Sequence, residues 1–251
     1  DRAIFENAQL DTQGIETVEG ETFRWVGSYE GSMAQAITHE THLNVFEHFE
    51  PKVPDNGREP TVTFCANLHP AIQLSVLDQS KPVRFSILDS MNLWIDIAHD
   101  TLLEAMKRVD IVVINDGEAS MLAGQENVIA AAKAVQKMAS IPTLIVKRGE
   151  HGVIALHGNE TIAMPSYPCP EVMDPTGCGD TFAGALAACL ASGRGEMPVE
   201  ELRNALTHAT VTASFTLEDF GTTILEKISQ EAYQQRYNSF CDISGISVES
   251  S

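Results

Sequence analysis

The sequence predicts an α/β fold with a mainly parallel central sheet flanked by helices and a small β-lid near its start. Three observations predict it. From Thr61 onward, short apolar runs alternate with amphipathic stretches, the βαβ rhythm that puts helices between parallel strands. Around residue 150 and again at residue 158, Gly turns join short strands with no room for a helix, which implies antiparallel pairing at one sheet edge. Ahead of both, residues 21–29 alternate with period two, as a half-buried strand does.

Taken in order, Ala3, Ile4, Phe5, Ala8 and Leu10 read as the apolar face of a helix already under way, and the first residue is Asp1 and not Met. The natural chain is expected to begin earlier. Phe23, Trp25, Gly27 and Tyr29 then alternate with Thr22, Arg24, Val26 and Ser28, giving a lid strand on which Arg24 is expected to face solvent. The stretch to Arg58 is rich in His, Glu and Pro, contains Pro54-Asp55-Asn56-Gly57, and reads as an irregular covering flap. A strand from Val62 to Ala66, a helix after Pro70 and a strand from Val83 to Leu88 follow. Thr101 and Glu104 have capping-box spacing, so the next helix is expected to start near Thr101, burying Leu102, Leu103, Ala105, Met106 and Val109. Ile111 to Ile114 is the next strand. A helix from about Asn127 to Ser140 leads into strands Thr143 to Lys147, Val153 to Leu156 and Thr161 to Met164, joined by Arg148-Gly149-Glu150-His151-Gly152 and His157-Gly158-Asn159. Helices close the chain at about Asp180 to Ser192, Pro198 to Leu217 and Gln230 to Phe240. One domain is expected over residues 1–251, with residues 20–58 contributing the lid and flap.

Composition narrows the function. With 251 residues, 43% of them hydrophobic, the chain can fill a core. Its formal charge of −19, from 35 acidic and 16 basic residues, opposes binding to nucleic-acid backbones and anionic membranes. A phosphate-bearing ligand must then be met locally, by backbone amides and a cation. The five cysteines are scattered, with no CxxC pair, which suggests neither a disulfide framework nor a zinc cluster and fits a reducing cytoplasm. No segment reaches the roughly 20 apolar residues of a membrane span.

The chemistry concentrates in Asp174-Pro175-Thr176-Gly177-Cys178-Gly179-Asp180-Thr181-Phe182-Ala183-Gly184-Ala185, a Gly-rich loop running into a helix of small residues. Glycines let successive N–H groups point one way, and the positive end of the helix dipole adds to them, so the loop is an anion cradle. Asp180 within it has two readings. A carboxylate in the first turn of a helix complements the dipole and needs no further role. Beside a phosphate, the same carboxylate can take the proton of an attacking alcohol.

This segment resembles the C-terminal signature of the PfkB, or ribokinase-like, carbohydrate and nucleoside kinases, in which a Gly-Ala-Gly-Asp stretch forms the anion hole and its Asp is the base. The resemblance implies a ribokinase-like fold, ATP and Mg²⁺, an anion hole of Gly177, Cys178 and Gly179, and Asp180 as catalytic base. Cys178 stands where the family usually has Ala; it is small and leaves the backbone N–H in place, and reads either as a buried filler or as a thiol near ATP. Asn115-Asp116-Gly117-Glu118 resembles the family's Asn-x-x-Glu element, which implies a magnesium and phosphate role for Asn115 and Glu118; a solvated turn is the alternative. Lys147-Arg148-Gly149-Glu150-His151-Gly152 resembles the family's Gly-x-x-Gly turn against the nucleotide and implicates Lys147 and Gly149, with Gly152 serving turn geometry. His208 falls near the family's adenine contact, or is an ordinary helix-face His. Asp174 and Thr176 match the region where some members hold K⁺. The family's acceptor-binding Asp on the first strand and the Gly-Gly motif after it are not in this sequence.

Asn67, Asp89 and Asn92 sit at strand ends, where a parallel sheet presents residues to its ligand crevice, and are candidate substrate contacts; turn chemistry accounts for them equally well. The acceptor is expected to be a sugar or sugar-like molecule. A nucleoside is the alternative, with Phe23, Trp25 and Tyr29 available as a slot for its base, and a catalytically silent nucleotide- or sugar-binding protein is a further one. The lid also suits homodimer formation through Phe23 and Trp25. His39-Glu40-Thr41-His42 would place two imidazoles on one face if helical, a weaker metal-hydrolase reading with no third ligand in view.

Overall fold

The computed structural model describes residues 2–31, 33 and 36–246; Asp1 and part of the expected flap lie outside them. A six-stranded sheet forms the centre, in the spatial order β3 (Val62–Cys65), β4 (Phe85–Asp89), β5 (Ile111–Asn115), β6 (Thr143–Lys147), β7 (Val153–His157), β8 (Glu160–Met164). Strands β3 to β6 are mutually parallel, and β7 and β8 add to the edge as antiparallel hairpins. Since spatial order follows chain order, each crossover steps the same way across the sheet, and the connecting helices collect on one face.

Side-chain alternation along the strands shows the consequence. Leu88, Val112, Ile114, Leu144, Val146, Ile154 and Leu156 point into one core with α2 (Pro70–Gln79), α3 (Asn92–Ile97), α4 (His99–Met106), α5 (Asp116–Ala123) and α6 (Val128–Met138). Their neighbours Ile87, Ile111, Val113, Ile145, Val153 and Ala155 point into a second core, filled from the other side by α7 (Cys178–Ser192), α8 (Val199–Thr216) and α9 (Gln230–Ser244). The central strands are therefore apolar on both faces, which is why they read as continuous apolar runs. The predicted α/β architecture, a mainly parallel sheet flanked by helices with antiparallel pairing at one edge, is the observed one.

Several expectations need correction. Thr101 does not start a helix: α4 begins at His99, after an Ala98 with no side-chain cap, so Thr101 and Glu104 lie inside the helix and no capping box forms between them. The strand expected from Val83 starts at Phe85, and Val83 is 78% exposed. Residues 30–58 are not wholly irregular. They carry β2 (Ala36–His42), which pairs antiparallel with β1 (Arg24–Tyr29), and two short 3₁₀ turns, Asn44–His48 and Asp55–Gly57. Because His39 to His42 is strand and not helix, the helical spacing that the metal-hydrolase reading needs does not form, and among the described residues no group of three His, Cys, Asp or Glu could hold a metal ion. The first helix, α1 (Arg2–Asn7), stops short of Ala8 and Leu10 and buries nothing. Helices α3 and α5 were not anticipated; both are short, and their apolar residues are too few to set a period. Among the described residues no helix is long and apolar enough to cross a membrane.

One ion pair anchors the opposite end of the sheet from the loops that matter below. Arg84, just before β4, reaches Glu201 of α8 through two bonds of 2.6 and 2.7 Å and also donates to the carbonyls of Leu190, Gly195 and Glu196. Its side chain is 3% exposed.

Candidate active site

Parallel strands end together, so the residues following β3, β4, β5 and β6 share one edge of the sheet, and the start of α7 comes down onto that edge. Asp89, Asn115 and Lys147 are the last residues of their strands. Asn115 and Lys147 are register partners.

The Gly-rich loop runs directly into α7. Gly177 is the N-cap of α7 and takes φ +80°, a conformation that favours glycine, with open space where a side chain would stand. The amide of Cys178 donates to the Pro175 carbonyl and that of Thr181 to the Gly177 carbonyl. Among the described residues, those of Gly179 and Asp180 find no carbonyl acceptor in the preceding loop. They lie at the N-terminus of a 15-residue helix, whose dipole puts about half a positive charge there. Lys147 completes the arrangement: its Nζ lies 3.0 Å from where a Cβ on Gly179 would be, so only a glycine admits the ammonium so close to the backbone. Two free amides, a helix dipole and an ammonium fit a phosphate group. Helix α7 starts two residues before the expected Asp180, which places Cys178 and Gly179 inside its first turn.

Asp180 is exposed and, among the described residues, accepts no hydrogen bond and forms no ion pair. The carboxylate therefore makes no capping hydrogen bond, and its place in the first turn of α7 is compatible with both of its readings. Glu118 behaves in the opposite way. It is 6% exposed; its Oε2 accepts from the Asn115 amide at 2.8 Å and its Oε1 from Asn115 Nδ2 at 2.7 Å, while Asn115 Oδ1 accepts from the Glu118 amide at 2.8 Å. The pair is a complete capping box for α5. Burial pushes the Glu118 carboxyl up to about 7, against the opposing pull of the Asn115 amide and Lys147. A buried carboxylate with spare lone pairs at this edge fits a magnesium ion held largely through water and phosphate.

Asp89 is buried, and both its oxygens face Lys147 Nζ, at 3.4 and 3.5 Å. Burial raises its carboxyl, Lys147 lowers it, and Asp180 raises it, so all three belong to one electrostatic cluster. Asn67 and Asn92 are exposed but occupied locally: Asn67 Oδ1 accepts from Trp94 Nε1 at 2.9 Å, and Asn92 Oδ1 accepts from the Leu93 amide at 3.0 Å. Gly149 opens a single 3₁₀ turn between β6 and β7 at φ +52°. Gly152 serves geometry, since a Cβ there would lie 2.0 Å from the Met164 carbonyl oxygen of β8.

Asp174 Oδ1 accepts from the Thr176 amide at 3.0 Å, and the Thr176 hydroxyl reaches Tyr29 Oη on the lid at 3.3 Å. The lid thus touches the cradle loop through a residue the sequence offered only as part of an aromatic slot. Cys178 Sγ turns away toward the Ala213 carbonyl on α8 at 3.6 Å, and burial holds its thiol up at about 11. His208 sits on the seam between α8 and α9, with Nδ1 at 2.7 Å from Tyr233 Oη and its ring stacked 4.7 Å from that of Tyr237. Burial lowers its pKa. Gln73, which no sequence motif singled out, is 1% exposed and donates from Nε2 to the carbonyls of Asp89, Ala66 and Cys65 at 2.8, 2.9 and 3.3 Å.

Residues 74–228, more than half of the chain, match the model of the pfkB family carbohydrate kinases. The chain belongs to the pfkB family. It is an ATP-dependent kinase by that membership, and its sheet and helices are those of the ribokinase fold. The chain is 30% identical over 199 residues to a cytidine kinase of Thermococcus kodakarensis, covering 76% of this chain and 68% of that kinase. Among solved structures it resembles aminoimidazole riboside kinase from Salmonella enterica complexed with aminoimidazole riboside and an ATP analog. That match has a TM-score of 0.73 at 14% identity, over 94% of this chain and 80% of the other. Fructokinase from Vibrio cholerae in its fructose, ADP and calcium ion bound form matches with a TM-score of 0.69 at 15% identity, over 94% and 80% of the two chains. The pfkB match takes in Asp89, Asn115, Glu118, Lys147, the cradle, Asp180 and His208, and leaves the lid outside.

Proposed function

We propose that this pfkB-family kinase moves the γ-phosphoryl group of ATP to a hydroxyl of a sugar or sugar-like small molecule, with Asp180 as the base. The observation that carries the reading is the unspent carboxylate of Asp180 beside free amides at the start of α7. The acceptor hydroxyl approaches between Asp180 and the phosphate cradle. Asp180 takes its proton as the oxygen attacks, an action worth about 10²–10⁴ in rate when the geometry is right. The amides of Gly179 and Asp180, the helix dipole and Lys147 meet the charge on the transferring oxygens, where each well-placed donor contributes about 10²–10³. Gly177 and Cys178 shape that hole through the backbone, and Gly149 borders the nucleotide at the end of β6. Bound Mg²⁺ would neutralise phosphate charge, with Asn115 and Glu118 holding its water shell. Asp174 and Thr176 are the residues that would hold K⁺, and His208, in its aromatic stack, would border the adenine. Asn67 and Asn92 are left as acceptor contacts.

A nucleoside acceptor is a second reading, and the cytidine kinase relative favours it. The lid supplies aromatic surface for a base, with Trp25 half-buried and Tyr29 held against Thr176. Exposed Phe23, just before this small sheet, and exposed Ile37 on it suit a lid-to-lid homodimer. The unpaired cysteines and the charge of −19 support a cytoplasmic enzyme that does not engage nucleic acid or anionic membranes. The acceptor is found by following ADP release from MgATP with cytidine, other nucleosides, pentoses, hexoses and sugar phosphates. The reading predicts turnover with a sugar or nucleoside; MgATP binding without transfer to any of them supports a binding-only protein instead.

A further inference from the structure

We propose that Asp89 is a positioning residue for phosphoryl transfer: it holds the Lys147 ammonium over the cradle and keeps it off the Asp180 carboxylate. This rests on the reading of Asp180 as base and Lys147 as phosphate contact. Asp89 was offered by the sequence as an acceptor contact, but its side chain is 5% exposed and both oxygens are turned to Lys147, nearly equidistant at 3.4 and 3.5 Å. Lys147 is in reach of the cradle, 3.0 Å from the position a Gly179 Cβ would take, and Asp180 is the very next residue. Yet it pairs with Asp89, two strands away across the end of β5, and forms no ion pair with Asp180.

An ammonium between two carboxylates is held more strongly by the buried one, which water screens less, and Asp89 is buried where Asp180 is exposed. Asp89 is fixed from behind. Gln73 donates from a single Nε2 to the Asp89 carbonyl and to two carbonyls at the end of β3, tying the carboxyl ends of β3 and β4 together under the site. Asp180, at the exposed start of α7, has no such tether. Were Lys147 to pair with Asp180, it would stabilise the ionised carboxylate and weaken it as a base. The contact to Asp89 is longer than a tight charged hydrogen bond, so the ammonium is aligned but free to turn to a phosphate oxygen when ATP arrives. Among charged side chains, Lys147 (β6), Asp180 (α7) and Glu118 (α5) act on or are acted on by Asp89.

The test uses the full chain, with Asp89→Asn, Lys147→Met, their double variant, Asp89→Glu and Asp180→Asn. MgATP is the binding probe, and the fastest acceptor of the panel above is the kinetic one. Asp89→Asn should bind MgATP severalfold tighter, because a negative charge beside the phosphates is gone, while kcat falls about tenfold or more. In the Lys147→Met background the same substitution should not lower kcat further, and Asp89→Glu should restore part of it. Three results would overturn the proposal: weaker MgATP binding in Asp89→Asn, a raised acceptor KM with unchanged MgATP affinity, or losses that simply add to those of Lys147→Met. An Asp180→Asn variant that turns over like wild type removes the base assignment and this proposal with it. An inactive Asp180→Asn beside an unaltered Asp89→Asn removes this proposal alone.

Discussion

Glu118 and Asp180 occupy the same helical position, third from an N-cap, and do opposite things. The difference lies in the cap. Asn115 has a side chain that accepts the Glu118 amide, and its own amide is turned back to the Glu118 carboxylate, so the carboxylate is anchored locally while keeping lone pairs to spare. Gly177 has no side chain to reciprocate, and at φ +80° it leads into α7 by another path, leaving Asp180 free. Both motifs were visible in the sequence, but whether each carboxylate was engaged was not, because that depends on backbone direction at the cap. For Glu118 a pH signature follows. Its folded pKa of about 7 lies above its ordinary value of 4.5, so the folded protein binds the extra proton and Glu118 costs stability progressively as pH rises from about 4.5 to 7. With a chelator present and no nucleotide, the stability of Glu118→Gln relative to wild type should therefore increase across that window by about 1–3 kcal/mol, read from denaturant midpoints. A flat difference would contradict the burial argument. Cys178 gives the complementary expectation. Its thiol points to α8 and is held neutral by burial, so Cys178→Ala should keep kcat within about threefold and iodoacetamide should modify Cys178 slowly at pH 7.

At the level of elements, the central strands were legible because both their faces are buried and their runs are apolar throughout; β5 and β6 fall within a residue of expectation. Elements carrying little burial were not. Strand β2 is exposed along its whole length, so no apolar pattern marks it, and the start of α4 is set by the end of α3 at Ala98 and not by the cap-like Thr101. Turn chemistry, by contrast, read correctly at Gly152, where β8 passes too close for any side chain. Arg84 shows an anchor that pattern alone does not expose, since its partner Glu201 lies over a hundred residues away. It ties the entry of β4 to the loop between α7 and α8 and to α8 itself, at the sheet edge opposite the site. Arg84→Ala leaves Glu201 and three carbonyls without their donor and should lower unfolding free energy by about 3–5 kcal/mol, measured by chemical denaturation. Below its melting point the variant should keep wild-type MgATP affinity. Loss of affinity in the folded variant would show that this anchor also shapes the cradle.

For the whole molecule, the sheet does the assembling: strands that all end at one edge bring Asp89, Asn115 and Lys147 beneath the start of α7, although 91 residues separate Asp89 from Asp180 in the chain. The chain as a whole carries a net charge of −19, so on the proposed reading a polyanion such as ATP is met locally, by the free amides and Lys147. The geometry of the Gly-rich loop and of the Asn115 cap was readable because each motif is contiguous in sequence. The surroundings of Asn67, Asp89 and Asn92 were not, because their partners Trp94, Lys147 and Leu93 are set by the fold, and Asp89 proved to face Lys147 from a buried position. The most direct test of the account follows transfer of labelled γ-phosphate from ATP to the panel acceptor by wild type and Asp180→Asn, with MgATP binding measured on the same samples. The account predicts that Asp180→Asn binds MgATP within a fewfold of wild type and loses about 10²-fold or more of the transfer rate; transfer within tenfold of wild type would contradict it.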